Sequence, residues 1–299
     1  LVVAMETMDI ESEYTPSRWS LRFDTPQQVL QHHVKYVTEA SEIATNSIPH
    51  KLEIEYGSTP GQKLDILGTD LPDDSPILVY VHGGYWQELS RDVSRYPALS
   101  LYRAKVKTIV LGYDLCPYVN LAEIIQQIQN AAKFVFEYAE KMDSRGVYFA
   151  GHSAGAFLVA KLVADAEFLD NLNGAHRFQG AFLISGIFDL RELIQTSVND
   201  AIQLPREWAV SLSPQFDAFT HLYLRRLRVY ILAAEHDSST FKKQSRDFYE
   251  HLNKVSLLKD MHLVIKDDMD HFDIVECFAK EHNYLRSLLM HDIGYYLYT

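Results

Sequence analysis

Cysteine is nearly absent from this chain. Cys116 and Cys277 are the two in 299 residues; they stand far apart and in no C-x-x-C pair, which argues against a disulfide framework and against a thiolate zinc site. Long apolar runs are missing too. None approaches the roughly 20 residues that a membrane-spanning helix needs, no basic-then-apolar leader pattern opens the chain, and no N-x-[ST] acceptor occurs. Cations are in deficit: 28 Lys and Arg face 40 Asp and Glu, a formal charge of −12. That charge repels a phosphate backbone, so neither nucleic acid nor an anionic membrane is an expected partner. These absences point to a reducing, cytoplasmic setting and to small-molecule chemistry.

What is present is an ordinary globular composition, 47% hydrophobic and 23% charged, with enough apolar material for a large core. Leu1-Val2-Val3-Ala4 precede Met5; they read as a remnant ahead of the natural start and are set aside. From about residue 52 onward, short β-branched runs alternate with stretches of helical period, the pattern of an α/β fold with a mostly parallel sheet. Eight strands are expected: Leu52–Tyr56, Lys63–Leu67, Ile77–His82, Lys107–Tyr113, Val147–Ala150, Ala181–Ser185, Arg228–Ala233 and His262–Lys266. The first two flank the turn-rich Gly57-Ser58-Thr59-Pro60-Gly61 and should form an antiparallel hairpin. Helices are expected over Leu121–Lys141, Ala154–Ala166, Phe241–Val255 and Phe278–Leu289. Residues 5–50 read as an N-terminal extension packed on a single domain, and 189–214, with Pro205 and Pro214, as an insert able to cap a site.

The strongest local signal is Gly151-His152-Ser153-Ala154-Gly155, set directly between a strand and a helix. A nucleophile on so sharp a turn occupies strained backbone, and the flanking glycines let strand and helix approach. A plain βα turn with a small residue is the competing interpretation. The second signal is His82-Gly83-Gly84-Tyr85-Trp86 after the most hydrophobic strand. There the amides of Gly84 and Tyr85 could join that of Ala154 to hold an oxyanion, although a Gly-Gly turn beside two buried aromatics explains the same residues. His82, Gly83, Tyr85 and Trp86 are the candidate substrate-pocket residues.

Serine needs a base, and the base needs an orienting group. Asp237 and His271 both follow strands at their carboxyl ends, where open α/β sheets build sites, and Ser153, Asp237, His271 is the nucleophile–acid–base order of α/β-hydrolases. His236 is the rival base, but it sits beside Asp237 on one short loop, too close to accept its orientation and still reach Ser153. Glu235 is the rival acid. Asp267, Asp268, Asp270, His271 and Asp273 allow a metal reading, without an accompanying H-E-x-x-H; no metal or organic cofactor is expected.

These residues resemble the kynurenine formamidases, or arylformamidases, of the α/β-hydrolase superfamily. The resemblance rests on Tyr14-Thr15-Pro16-Ser17-Arg18-Trp19, His82-Gly83-Gly84-Tyr85-Trp86-Gln87, the Ser153 motif, Ser185-Gly186-Ile187-Phe188-Asp189-Leu190, Glu235-His236-Asp237 and Asp270-His271-Phe272. It implies the α/β-hydrolase fold and hydrolysis of N-formyl-L-kynurenine to L-kynurenine and formate in tryptophan catabolism, with Ser153 as nucleophile, Asp237 as acid, His271 as base and the H-G-G loop as oxyanion site. The superfamily's commoner H-G-G-G loop has a third glycine where Tyr85 stands, and Tyr85 with Trp86 is expected to narrow the acyl side to a formyl group. A broad-specificity carboxylesterase and, more remotely, a non-catalytic binding protein are the alternatives. Arg18, Arg22 and several loop acids are all candidates for holding the amino-acid end of the substrate.

Overall fold

The computed structural model describes residues 9–297 except 226, 257 and 259, so Leu1–Ala4, expected to be a remnant, and the first residues of the expected extension lie outside the described residues. Eight strands form one sheet: β1 (His50–Glu55), β2 (Lys63–Leu67), β3 (Ile77–Val81), β4 (Lys107–Leu111), β5 (Val147–His152), β6 (Phe178–Ile184), β7 (Arg228–His236) and β8 (Met261–Asp270). Their spatial order is β1-β2-β4-β3-β5-β6-β7-β8. β1 pairs antiparallel with β2, and β2 antiparallel with β4. From β4 across to β8 every pairing is parallel.

The strands alternate between two apolar layers, as the period of two requires. Val79, Phe149, Leu183 and Ile231 face the layer built with α2 (Leu121–Lys141), α3 (Ala154–Ala164) and α4 (Ser239–Val255). Leu78, Tyr148, Phe182 and Leu232 face the layer that includes α1 (Pro26–Ser47) and α5 (Tyr284–Leu297). Both faces of the sheet are thus buried, which explains why β3, β4 and β5 read as continuous apolar runs. Each such side chain, fully buried, contributes about 1.5–3 kcal/mol relative to exposure. Among the described residues, no helix is long and apolar enough to cross a membrane.

The helices depart from the sequence expectation in three places. The expected helix 154–166 breaks at Asp165, whose side chain instead caps a short new turn by accepting from the Phe168 amide. The expected helix 278–289 starts at Tyr284, after a short turn at Cys277–Ala279. Inside the extension lies α1, 22 residues long, which the apolar period does not announce.

β7 and β8 run longer than expected, and the extra length matters. Ala234 pairs with Lys266 and His236 with Asp270, with a bulge between. The chain segments leaving these two strands therefore begin side by side, one with Asp237 and the other with His271.

Candidate active site

Ser153 stands between β5 and α3 at φ 53° and ψ −116°, a conformation that costs a non-glycine residue energy and persists only where packing enforces it. The enforcement is visible. A Cβ on Gly151 would lie 2.2 Å from the Gly155 carbonyl oxygen, and one on Gly155 2.1 Å from that of Val81. Only glycines let the turn close against β3. The Ser153 hydroxyl makes no cap hydrogen bond to α3.

His271 Nδ1 lies 2.7 Å from Asp237 Oδ1. Asp237 is buried and receives two further donors on Oδ2, the Ser185 hydroxyl at 2.6 Å and the Ala234 amide at 2.8 Å. A carboxylate held by three donors is fixed in orientation. The rival acid Glu235 is exposed and turns instead to the Asp268 amide, 2.8 Å away. The imidazole of His271 packs edge-on against Phe241 and Phe272. His152 donates from Nε2 to the His271 carbonyl at 2.7 Å; burial, and then the nearby His271, keep the His152 ring well below the usual histidine range and therefore neutral.

The loop after β3 bends through three consecutive positive φ values, Gly84, Tyr85 and Trp86. A Cβ on Gly83 would come within 3.1 Å of Ser153 Cβ, so this loop lies directly against the serine turn. Among the described residues, the amides of Gly84, Tyr85 and Ala154 donate to no protein acceptor.

A cavity of about 220 Å³ opens here, lined by Ser153, His271, His152, Gly84 and Tyr85 from the sheet's carboxyl edge. Its opposite wall comes from the N-terminal segment, Tyr14 to Ser17, with Leu30, His33 and Val34 of α1; Ser197 and Val198 of the 189–214 insert complete it. The Tyr85 hydroxyl donates to the Tyr14 carbonyl at 2.7 Å, and Gln244 donates to the Tyr14 hydroxyl at 2.8 Å. Glu13, buried beneath, accepts from Ser239 Oγ and the Thr240 amide at the start of α4.

Several sequence candidates lie elsewhere. Trp86 is fully buried against Phe157, at 5.0 Å between ring centroids, and is not a lining residue; the positive φ values of the loop turn its indole under the site. His82 stacks on Tyr113 and Gly83 packs on the serine turn, so of the four expected pocket residues only Tyr85 lines the cavity. Burial lowers the His82 pKa to about 4. Arg18 reaches outward to Asp9. Arg22 binds Asp270 and Glu276, with Nε 2.7 Å from Asp270 Oδ2 and Nη1 2.8 Å from Glu276 Oε2, and neither arginine lines the cavity. Asp270 turns to Arg22 and Ser20 while His271 turns to Asp237, so the acidic residues of the metal reading do not converge.

Sequence reasoning quoted Ser185, His152 and Tyr14–Ser17 within motifs without giving them a role, and it did not single out His33 or α1. The helix had one usable local signal: Thr25-Pro26 followed by Gln28 is a capping box with proline in the first turn, and it starts α1.

Residues 78–271 match the family described as alpha/beta hydrolase fold. The kynurenine formamidase of Salmo salar is 32% identical over 294 residues, covering 97% of each chain. That of Danio rerio is 31% identical over 293 residues, covering 97% of this chain and 98% of its own. Among solved structures, esterase B from Lactobacillus rhamnosis superposes with a TM-score of 0.68 over 90% of this chain and 93% of its own at 15% identity, a likeness of fold. With the serine turn, the Asp237–His271 pair and the glycine loop gathered at one sheet edge, and relatives matching from end to end, the chain belongs to the kynurenine formamidase family of α/β-hydrolases.

Proposed function

We propose that this protein hydrolyses N-formyl-L-kynurenine to L-kynurenine and formate, through a formyl-enzyme on Ser153, as a cytoplasmic step of tryptophan breakdown carried by one α/β-hydrolase domain. The observation that carries the reading is the His271–Asp237 hydrogen bond of 2.7 Å beside a cavity that Ser153 also lines.

His271 donates Nδ1–H to Asp237, which leaves Nε2 to take the Ser153 proton as the oxygen attacks the formyl carbon. The amides of Gly84, Tyr85 and Ala154 hold the developing oxyanion, each donor worth ~10²–10³ in rate. His271 then passes the proton to the departing aryl amine, and the C–N bond breaks. Water, deprotonated by the same histidine, attacks the formyl ester, and collapse of the second tetrahedral intermediate returns the proton to Ser153 and releases formate. The His271 ring takes the Ser153 proton only in its neutral form. Tyr85, fixed by its hydrogen bond to the Tyr14 carbonyl, narrows the acyl side on its own, without Trp86.

The test is formate release from N-formylkynurenine by the purified protein, with and without a serine-directed inactivator, beside hydrolysis of aryl esters. Inactivator-sensitive formate release at a higher kcat/KM than the esters is expected. Efficient ester cleavage with negligible formate release would make the protein a carboxylesterase instead.

A further inference from the structure

N-formylkynurenine carries an α-ammonium and a carboxylate besides its formyl group, and the cavity does not treat the two charges alike. Among the described residues, no lysine or arginine lines it, and Arg22 is held by Asp270 and Glu276. Two acidic residues do line it, Glu11 and Glu88. Glu11 is already engaged, accepting from both the amide and the hydroxyl of Ser197. Glu88 is exposed, and its carboxylate has no hydrogen bond or ion pair among the described residues.

A second polar residue lines the same space. His33 is 5% exposed and lines the cavity, with Nδ1 2.9 Å from Glu276 Oε1. Burial acts to raise the Glu276 carboxyl, yet hydrogen bonds from His33 and Arg22 hold it below the ordinary range. An ionised carboxylate only accepts, so Nδ1 carries the hydrogen, and in that tautomer Nε2 is the ring's acceptor. No described residue meets that nitrogen.

We propose that the cavity recognises its substrate by a primary ammonium group, with Glu88 as charge partner and His33 Nε2 as a further acceptor, so that its preferred class is cationic aryl formamides whether or not they carry a carboxylate. An ammonium offers three donors and no acceptor, matching these two groups. The carboxylate of an amino-acid substrate stays in solvent at the mouth. This inference rests on the formamidase reading above.

The experiment compares kcat/KM for four formamides: N-formylkynurenine, its analogue with hydrogen in place of the carboxylate, its analogue with hydrogen in place of the ammonium, and formanilide. The decarboxylated compound is expected to match or exceed the parent, and the deaminated one to fall about tenfold below it, the worth of one charge-assisted contact. Glu88→Gln is expected to shrink the ratio of ammonium-bearing to neutral substrate about tenfold, mainly through KM. A deaminated analogue as good as the parent, or a ratio unmoved by Glu88→Gln, overturns the proposal while leaving the formamidase reading in place. If formanilide and the other formamides all go unhydrolysed, both fall together.

Discussion

The Ser185 hydroxyl donates to Asp237 Oδ2 at 2.6 Å, on the opposite oxygen from the one that meets His271 Nδ1. Ser185 itself sits at φ 46° directly after β6. The two contacts leave Asp237 no freedom to rotate away from the imidazole, which makes Ser185 a positioning residue. Ser185→Ala is expected to lower kcat about tenfold with KM little changed, and to cost about 1–2 kcal/mol of stability. Steady-state kinetics and urea unfolding check both; an unaltered kcat would leave Ser185 a purely structural role.

At Ser153 the strain and the chemistry separate by substitution. Ser153→Ala and Ser153→Gly both remove the oxygen proposed to attack, so both are expected to lose turnover by several orders of magnitude. They should differ in stability. Glycine accepts φ 53° without penalty, whereas alanine keeps the strain, so the glycine variant is expected to be more stable by about 1 kcal/mol. Thermal and denaturant unfolding of the pair measures the difference. Residual formamidase activity in either variant would remove the nucleophile assignment.

Tyr85 narrows the acyl side in the mechanism proposed above. Tyr85→Gly is expected to raise acetanilide turnover relative to formanilide about tenfold, the discrimination one extra methyl group can carry. The same variant loses the hydroxyl contact to the Tyr14 carbonyl, so Tyr85→Phe serves as the control. It breaks that contact but keeps the ring, and should leave the ratio near that of the wild type.

The carboxylates next to His271 set a pH dependence of stability. Burial opposes ionisation of Asp270, but hydrogen bonds from Arg22 and Ser20 bring its pKa to about 2; its stabilisation is present above about pH 4 and is lost as the pH falls through about 2. Asp273 is the reverse case. Burial first, and then the Asp270 charge, raise its pKa to about 6, so the stability it contributes is full below about pH 4 and is lost as the pH rises through 6. Asp273→Asn can keep an oxygen for the Asp270 amide, which now lies 2.7 Å from Asp273 Oδ1. The variant is expected to equal the wild type near pH 4 and to exceed it at pH 7 by on the order of 1 kcal/mol after solvent screening. Urea midpoints at the two pH values decide it, and a difference of opposite sign would contradict the assignment.

Strands and serine turn were readable from the sequence because their signals are local. Alternating apolar runs mark strands within five to ten residues, and Gly151 and Gly155 announce a close approach by their type alone. The pairing of Asp237 with His271, in preference to Glu235 or His236, depends instead on the β7–β8 register and its bulge, which no short window contains. The N-terminal wall was harder still. The apolar stripe of α1 is thinned by the buried His33 and Ser41, and His33 meets Glu276 across 243 positions of chain. Trp86 was misplaced for a related reason: an aromatic beside a glycine pair reads equally as pocket or core, and three positive φ values in a row settle which.

Ser20 hydrogen-bonds Asp270 across 250 positions of the chain, and the same two regions carry opposite walls of the cavity. The part of the polypeptide made first therefore waits for a part made almost last. A copy still emerging from the ribosome already holds Ser153 but lacks His271, and by the proposed mechanism it stays inert until synthesis is nearly finished. Contacts between such distant segments are the slowest to form, so on dilution from denaturant the return of activity should trail the return of the sheet.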